Sequence, residues 1–195
     1  MLEKYAPEYT NSLLFSLQTL GILKRNRRKL LSHVNKILAK AGVRYVSKGK
    51  ISKKASWIVD NFLNSKIVRE GKVVLLERMS GSLDKLQFKS SRERELAARE
   101  FIVNHVKGFG LKSASDFLIE LGYAKTLIPF DIRELEFINR VLKPNISVDN
   151  LSSGIYWLLE ESFQMLQEKI GISPSRFDRI IFQHKDEIVK EFSNF

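Results

Sequence analysis

The sequence of 195 residues contains no cysteine, and this absence excludes several kinds of site. Disulfides, thiolate zinc sites, cysteine-ligated iron–sulfur clusters and cysteine nucleophiles all require a thiol. Histidine is scarce as well: only His33, His105 and His184 are present, and no two of them stand at the spacing of an HxxxH or HExxH motif. We therefore expect no metal site built from thiolates or imidazoles, and neither an organic cofactor nor a redox metal is expected.

Long apolar runs are also missing. No stretch reaches the roughly 20 apolar residues of a membrane-spanning helix. The first ten residues, MLEKYAPEYT, lack the apolar core of a signal peptide. We expect a soluble intracellular protein with no membrane partner.

Acidic residues are absent from one long segment, which holds the excess of positive charge. Residues 24–54 include 12 Lys or Arg and no Asp or Glu, whereas the rest of the chain has 21 basic and 22 acidic residues. The net charge of +11 therefore arises in this segment. Such a block attracts polyanions, because each neutralised phosphate releases condensed counterions. The pattern predicts nucleic-acid binding, with Arg27 and Arg28 as candidate contacts; a solvated basic face and an anionic membrane surface are the alternatives.

Apolar residues recur at helical spacing along most of the chain, which predicts an all-α fold. The exception is the β-branched stretch 66–79, which is interpreted as a small hairpin around Glu70-Gly71 or as a helix broken by glycine. The small and polar residues after it predict a linker over 80–91. We expect two lobes, 1–85 and 86–195. The predicted helices cover residues 9–23, 27–41, 53–64, 90–106, 111–122, 131–141, 152–171 and 173–192.

Two of the predicted helices are joined by the short segment Val-Lys-Gly-Phe-Gly, residues 106–110. Gly108 and Gly110 would allow tight left-handed turning and a close approach of the backbone to a ligand. The free N–H groups at the start of the second helix, together with its dipole, suit a phosphate group. A purely steric need for glycine in a tight turn is the alternative.

Lys112 and Asp131 are the candidate catalytic residues. Lys112 lies in the first turn of the helix after the glycines, where the helix dipole disfavours the ammonium form, and a neutral lysine is the nucleophile of Schiff-base chemistry. Asp131 follows the Pro129-Phe130 pair, and we expect it to cap the next helix. Because one helix and its return loop separate the two residues, both side chains can face one cleft. A surface lysine and a simple helix cap are the alternatives.

These residues lie in a segment that resembles a known family, the helix–hairpin–helix DNA glycosylases. The similarity is greatest to the short archaeal and thermophilic-bacterial 8-oxoguanine DNA glycosylases with AP-lyase activity. It rests on R-E-F-I-V at 99–103, on K-G-F-G-L-K-S-A-S-D-F-L at 107–118 and on D-I-R at 131–133. Weaker similarity extends to 42–61 and 173–182. The resemblance implies a two-lobe helix–hairpin–helix fold with the active site between the lobes.

The resemblance also implies a mechanism. Lys112 would attack the sugar C1′ of a flipped nucleotide to form a Schiff base, and β-elimination would then nick the strand. Asp131 would assist departure of the base. The hairpin 107–111 would grip a backbone phosphate, with a monovalent cation on its carbonyls as one way of doing so.

The remaining implied contacts fall into two groups. Phe182 and Asp178 would line the base pocket, with core packing as the alternative for Phe182. The implied DNA contacts are Lys107, Gly108, Phe109, Gly110, Arg133, Arg27 and Arg28.

The sequence departs from the family pattern at three places. Asp116 replaces a usual histidine, Phe130-Asp131-Ile132-Arg133 replaces Ile-Asp-Arg/Lys-His, and Phe182 replaces a tryptophan.

The resemblance thus implies a monomeric, cytoplasmic base-excision repair enzyme of prokaryotic type that acts on damaged double-stranded DNA and associates with the nucleoid. Its activity would be that of a bifunctional DNA glycosylase and AP lyase that removes an oxidised purine, with 8-oxoguanine as the first candidate. Removal of another damaged base is one alternative. A non-catalytic DNA-binding module is a second, and a winged-helix regulator formed by residues 1–80, with 66–79 as its wing, is a third.

Overall fold

The computed structural model describes residues 26–47, 49–70, 72–142, 146–147 and 151–192. The helix predicted over 9–23 lies outside these residues. Within them the fold is all-α, as predicted, with one small β-hairpin. The helices are α1 (Arg27–Lys40), α2 (Lys53–Leu63), α3 (Leu75–Leu83), α4 (Ser91–His105), α5 (Leu111–Glu120), α6 (Ile132–Leu142), α7 (Ser153–Ile170) and α8 (Pro174–Phe192), and the strands are β1 (Val68–Arg69) and β2 (Lys72–Val73). None of these helices is long and apolar enough to cross a membrane.

The hairpin is shorter than the predicted 66–79. Only two residue pairs of β1 and β2 form the antiparallel ladder, and α3 begins at Leu75. Leu75, Met79 and Leu83 recur every four residues and are all buried, so they form the inner face of a helix. The predicted linker 80–91 is therefore wrong in its first four residues, because burial of this stripe outweighs the weak helix propensity of its serines and glycine.

The described residues form two compact units. The first contains the described residues up to Ser82 together with Asn104–Gly108, and the second contains Leu83–Val103 and the described residues from Phe109 onward. The turn between α4 and α5 therefore contributes residues to both units.

The first unit is built on the packing of α1 against α2. Leu30, Val34 and Leu38 lie one helical turn apart on α1 and are buried against Ala55 and Val59 of α2. Asn26 caps α1 by accepting a hydrogen bond from the Lys29 N–H, and Ser52 caps α2 by accepting one from the Ala55 N–H. The apolar stripe and the caps are sequence signals, which is why α1 and α2 match the predicted ranges closely.

Asn35 is a buried polar residue in this unit. Its amide donates to the carbonyl oxygens of Ser47 and Lys50 at 2.8 and 3.1 Å, and its carbonyl accepts from the Ser52 N–H at 3.0 Å. These three hydrogen bonds satisfy a side chain that would otherwise be costly to bury. They fix the loop that leads into α2.

Asp60 bridges two cations at the surface of the first unit. Its Oδ1 is 2.7 Å from Nη2 of Arg27, and its Oδ2 is 3.1 Å from Nζ of Lys107. The hydrogen bond from Arg27 lowers the pKa of Asp60 from its usual value, and the hydrogen bond from Lys107 acts in the same direction, while partial burial opposes both.

The core of the second unit lies among α6, α7, α8 and the segment that precedes α6. Phe130 is buried and makes edge-to-face contacts with Tyr156 and Phe163, with ring centroids 5.2 and 5.4 Å apart. The buried members of this cluster are Ile128, Phe130, Leu135, Phe137, Ile138, Tyr156, Phe163 and Ile181.

A buried ion pair joins α4 to α7. Arg99 and Glu160 are 1% and 0% exposed and form two parallel hydrogen bonds of 2.7 and 2.8 Å. Arg99 also donates to Oγ of Ser115 on α5, and Glu160 accepts from the N–H of Ile128 at 3.0 Å. Each charge is therefore paired and further hydrogen-bonded, as buried ions require.

Two neighbouring aromatics of α7 complete the surroundings of this pair. The Tyr156 hydroxyl donates to the Ile128 carbonyl oxygen, and burial raises the pKa of Tyr156 well above its usual value, so the hydroxyl remains a donor. Trp157 is 37% exposed, and one face of its indole covers the Arg99 guanidinium, 4.8 Å away.

We expect Glu160→Gln to lower the free energy of unfolding by about 3–5 kcal/mol, because it leaves the Arg99 charge buried without its counter-ion. The adjacent Glu161 is a matched control, since its pair with Arg92 is half exposed and Glu161→Gln should cost less than about 1 kcal/mol. Urea unfolding followed by circular dichroism measures both. Equal losses for the two variants would show that the buried pair is not the stronger one.

We expect the pKa of the Asp60 carboxyl to lie below its usual value in the folded protein, because Arg27 and Lys107 donate hydrogen bonds to the carboxylate. Because the folded pKa is lowered, the stabilisation by this carboxylate is complete above the unfolded pKa and is lost as the pH falls through the folded value. NMR titration of the side-chain carboxyl carbon measures the shift. Arg27→Gln should raise this pKa more than Lys107→Gln, since the Arg27 hydrogen bond is the larger cause; the reverse order would contradict the geometry.

Candidate active site

The turn between α4 and α5 requires a glycine at one position. Gly108 has φ +89°, a left-handed conformation. A Cβ atom there would lie 2.6 and 2.9 Å from ring atoms of Trp57, which is closer than any side chain tolerates. Trp57 therefore packs directly on the backbone of the turn.

Gly110 serves a different purpose from the one predicted. Its φ of −103° is not left-handed, so the expectation of left-handed turning at both glycines is wrong for this residue. Gly110 is the N-cap of α5 and supplies no side chain to accept from the first N–H groups of that helix. These donors stay available to an external anion.

Two side chains of α2 hold Lys107. The Asn61 amide donates to the Lys107 carbonyl oxygen at 2.9 Å, and its Oδ1 accepts from the Lys107 N–H at 2.8 Å. Asp60 accepts from Nζ of the same lysine. Sequence reasoning missed this function of Asn61, although the residue ends the 42–61 segment that carries the weaker family resemblance. Phe109, the next aromatic of the turn, packs edge-to-face on Phe117 at 5.7 Å.

Lys112 and Asp131 lie close together, as their spacing predicts. Nζ of Lys112 is 3.9 Å from Oδ2 of Asp131. It is closer still to Asp116, at 2.6 Å from Oδ2. The Lys112 side chain is 41% exposed, so a large ligand can reach the amine. Lys112 and Asp116 stand four residues apart on α5, and this i, i+4 spacing is the signal that could have revealed the pair.

Asp131 is positioned by the start of α6. The helix begins at the next residue, as predicted, and the Asp131 carbonyl oxygen accepts from the Leu135 N–H. The Asp131 N–H donates to Oε2 of Glu134 at 2.7 Å. Glu134 is buried at the third position of the helix, the place of a capping-box carboxylate. The Asp-x-x-Glu sequence was the available signal for Glu134.

The Arg99–Glu160 pair forms hydrogen bonds with the inner face of α5 and with the segment before Asp131. Ser115, three residues after Lys112, is fully buried and accepts from Arg99. Ile128, three residues before Asp131, donates its N–H to Glu160. One buried pair therefore contacts the helix that carries Lys112, through the Ser115 hydroxyl, and the segment that leads to Asp131, through the Ile128 N–H.

The other predicted site residues are only partly described. Arg27 contacts Asp60 and Arg28 is exposed in the first turn of α1. Arg133 lies on α6, and Asp178 and Phe182 lie on α8, but the side chains of these three are outside the described residues. Their predicted contacts with DNA and with a flipped base stay predictions.

Tyr45 is an exposed aromatic that sequence reasoning did not single out as a contact. It has φ +65°, is 80% exposed and is flanked by the guanidinium of Arg44 and the ammonium of Lys54, 4.7 and 5.9 Å from its ring centroid. An exposed ring among cations is typical of surfaces on which nucleic-acid bases stack.

No metal site accompanies these residues: in the described ranges, no group of three or more His, Asp or Glu side chains is placed to hold an ion.

Comparison with known proteins gives consistent matches. Residues 8–172 match the family model of the helix–hairpin–helix 8-oxoguanine DNA glycosylases. The chain is 33% identical over 94 residues to the 8-oxoguanine DNA glycosylase/AP lyase of Sulfurisphaera tokodaii, which is 48% of this chain and 45% of that protein. It is 31% identical over 115 residues to the protein of the same name from Methanocaldococcus jannaschii, covering 56% of this chain and 51% of that protein.

A third relative of that name, from Sulfolobus acidocaldarius, is 33% identical over 97 residues, which is 49% of this chain and 46% of that protein. The matched part therefore spans about half the length of these curated relatives. No solved structure matches the chain. Since the family model covers most of the chain, including the α4–turn–α5 hairpin, Lys112 and Asp131, the protein belongs to the family of helix–hairpin–helix 8-oxoguanine DNA glycosylases.

Proposed function

We propose that this protein is a bifunctional DNA glycosylase and AP lyase that excises 8-oxoguanine from double-stranded DNA. The observation that carries the proposal is the amine of Lys112 within 4 Å of the Asp131 carboxylate, directly after a glycine hairpin, in a member of this family. The relatives that match the chain carry this activity in their names.

The DNA would contact the protein through phosphates first. The turn ends at the unfilled N-cap of α5, whose N–H groups suit a phosphate oxygen. Lys107 lies in the same turn, and the basic segment 24–54 adds attraction for the backbone. Base flipping would then bring C1′ of the damaged nucleotide to Lys112, because a stacked nucleotide blocks access to that atom.

The reaction needs a neutral lysine, so the ammonium proton must leave Nζ before attack. Asp116 already accepts a hydrogen bond from Nζ at 2.6 Å and Asp131 lies 3.9 Å away, so both are positioned as proton acceptors. The nitrogen lone pair then forms a bond to C1′, and the base departs with the electrons of the glycosidic bond and takes up a proton. The Asp131 carboxylate would stabilise the positive charge that develops on the sugar.

The amine that now joins Lys112 to C1′ then loses its extra proton to a carboxylate. Its lone pair breaks the C1′–O4′ bond, O4′ takes up a proton, and the ring opens to the protonated Schiff base. Loss of a proton from C2′ would expel the 3′ phosphate as the C3′–O bond breaks, which is the lyase step. Water would hydrolyse the Schiff base and return the free lysine. The protein's side chains supply the nucleophile and the proton acceptors, and this scheme needs no cofactor.

We expect borohydride to trap a covalent adduct between the protein and a labelled duplex that contains one 8-oxoguanine. Lys112→Gln should abolish the adduct, because glutamine cannot form the imine. Lys85→Gln is the matched control, since Lys85 is exposed and far along the chain from the site, and it should trap as the wild type does. Undamaged duplex should give no adduct.

Two other results would change the interpretation. An adduct with abasic DNA but not with 8-oxoguanine would keep the lyase and assign another damaged base. No adduct with either substrate would contradict the Schiff-base mechanism, and direct assays of base release would then separate a lysine-independent glycosylase from a binding module.

We expect Asp131→Asn to lower the single-turnover rate of base release by at least about 100-fold, because an amide neither stabilises cationic sugar nor accepts the lysine proton. Asp116→Asn makes the same chemical change next to the same amine, but on a half-exposed side chain whose task Asp131 can share, and should cost less than about tenfold. Single-turnover assays at saturating protein measure both. A larger loss for Asp116→Asn would reverse the assignment of the two carboxylates.

A further inference from the structure

A groove in the second unit carries positive charge that the proposed chemistry does not use. It has a volume of about 620 Å³ and lies between the end of α5 with its following loop and the first half of α8. Lys125 lines one wall and Arg176 and Arg179 line the other, with Gln183 beside them. Ile119 and Ile180 supply apolar surface. Among the residues described, no Asp or Glu lines this groove.

The three cations are exposed and lack carboxylate partners within the described part of the chain. They therefore differ from Arg27, Lys107 and Lys112, each of which is paired with an aspartate. The chain outside residues 24–54 has slightly more acidic than basic residues. The excess of basic residues in 24–54 therefore does not explain why three cations without a described carboxylate partner cluster around this groove.

A buried carboxylate fixes the backbone at Lys125, on one wall of the groove. Glu95 is buried and accepts hydrogen bonds from the backbone N–H groups of Lys125 and Thr126, at 3.1 and 2.8 Å. On the opposite wall, Arg176 stands at the third position of α8, whose first turn contains no acidic residue. A helix dipole disfavours a cation at that end, so an anion in the groove would relieve the repulsion.

The groove lies near the candidate site along α5. Ile119 is seven residues after Lys112 on the same helix, which is about 10 Å at 1.5 Å per residue. Base pairs of duplex DNA follow each other every 3.4 Å or so along the axis. A DNA strand that follows the axis of α5 and presents a nucleotide to Lys112 can therefore place at this groove the phosphate that lies about three base pairs away.

We propose that the groove binds backbone phosphates of the DNA strand beside the lesion, with Arg176, Arg179 and Lys125 as the contacts. This inference rests on the proposed function, because it takes the position of the DNA from the reaction at Lys112. The shared chemistry is a phosphate ester, so a free nucleotide is the other source of the anion.

The test is the salt dependence of binding to an undamaged duplex. Each phosphate contact contributes about 0.9 to the slope of log K against log salt, so Arg176→Gln/Arg179→Gln should lower the magnitude of the slope by about 2. Lys125→Gln should lower it by about 1 more. Lys85→Gln/Lys89→Gln removes the same charge from exposed positions outside the groove and should leave the slope unchanged.

Conservative variants separate charge from packing. Arg176→Lys/Arg179→Lys keeps both charges and should retain the wild-type slope, and circular dichroism checks that all variants are folded. A slope that does not respond to the glutamine variants overturns the proposal. So does saturable binding of deoxyadenosine monophosphate that is lost in those variants while their DNA slope stays at the wild-type value, since the ligand would then be a free nucleotide.

The outcomes distinguish this proposal from the proposed function. Normal borohydride trapping with an unchanged slope rejects the groove alone. A reduced slope without any trapped adduct keeps the groove as a DNA contact and rejects the Schiff-base enzyme.

Discussion

The buried pair of Arg99 and Glu160 is the interaction on which the candidate site depends. Arg99 holds Ser115 on the inner face of α5, and Glu160 holds the backbone of Ile128 before α6. The first contact lies three residues from Lys112 and the second three residues from Asp131. Two buried charges are stable only when both are fully hydrogen-bonded. The helices that provide these partners must therefore pack in one arrangement, which is also the one that brings the amine and the carboxylate together.

Several cations that could contact DNA are already paired with carboxylates. Asp60 holds Arg27 and Lys107 of the first unit, and Asp116 with Asp131 holds Lys112 of the second. A cation that already has a carboxylate partner must exchange it for a phosphate, so its net gain on binding is smaller than its charge suggests. The cations of the groove between α5 and α8 have no carboxylate partner among the described residues and meet no such competition. The same formal charge thus has different consequences at different places in the molecule.

Much of the fold could be predicted because its signals are local. The stripe of Leu30, Val34 and Leu38 and the caps at Asn26 and Ser52 define α1 and α2 within the sequence itself. The failures have non-local causes. Helix α3 forms in spite of its serines and glycine because Met79 and Leu83 are buried. In the same way, the contact of Trp157 with the Arg99 guanidinium joins residues of two different helices. The residues that bury α3, and the cation that lies under Trp157, cannot be identified from neighbouring positions in the sequence.

Residue type, spacing and motif suffice to predict the helical fold, the basic segment, the glycine turn and the lysine and aspartate that the family resemblance singles out. Which atoms meet is known only from the folded chain. Trp57 leaves room only for glycine at position 108, Asn61 hydrogen-bonds to both the N–H and the carbonyl of Lys107, and Lys125 faces Arg176 and Arg179 across a groove. These contacts join residues tens of positions apart. Their distances are set by the packing of helices on a shared core, which no local pattern in the chain encodes.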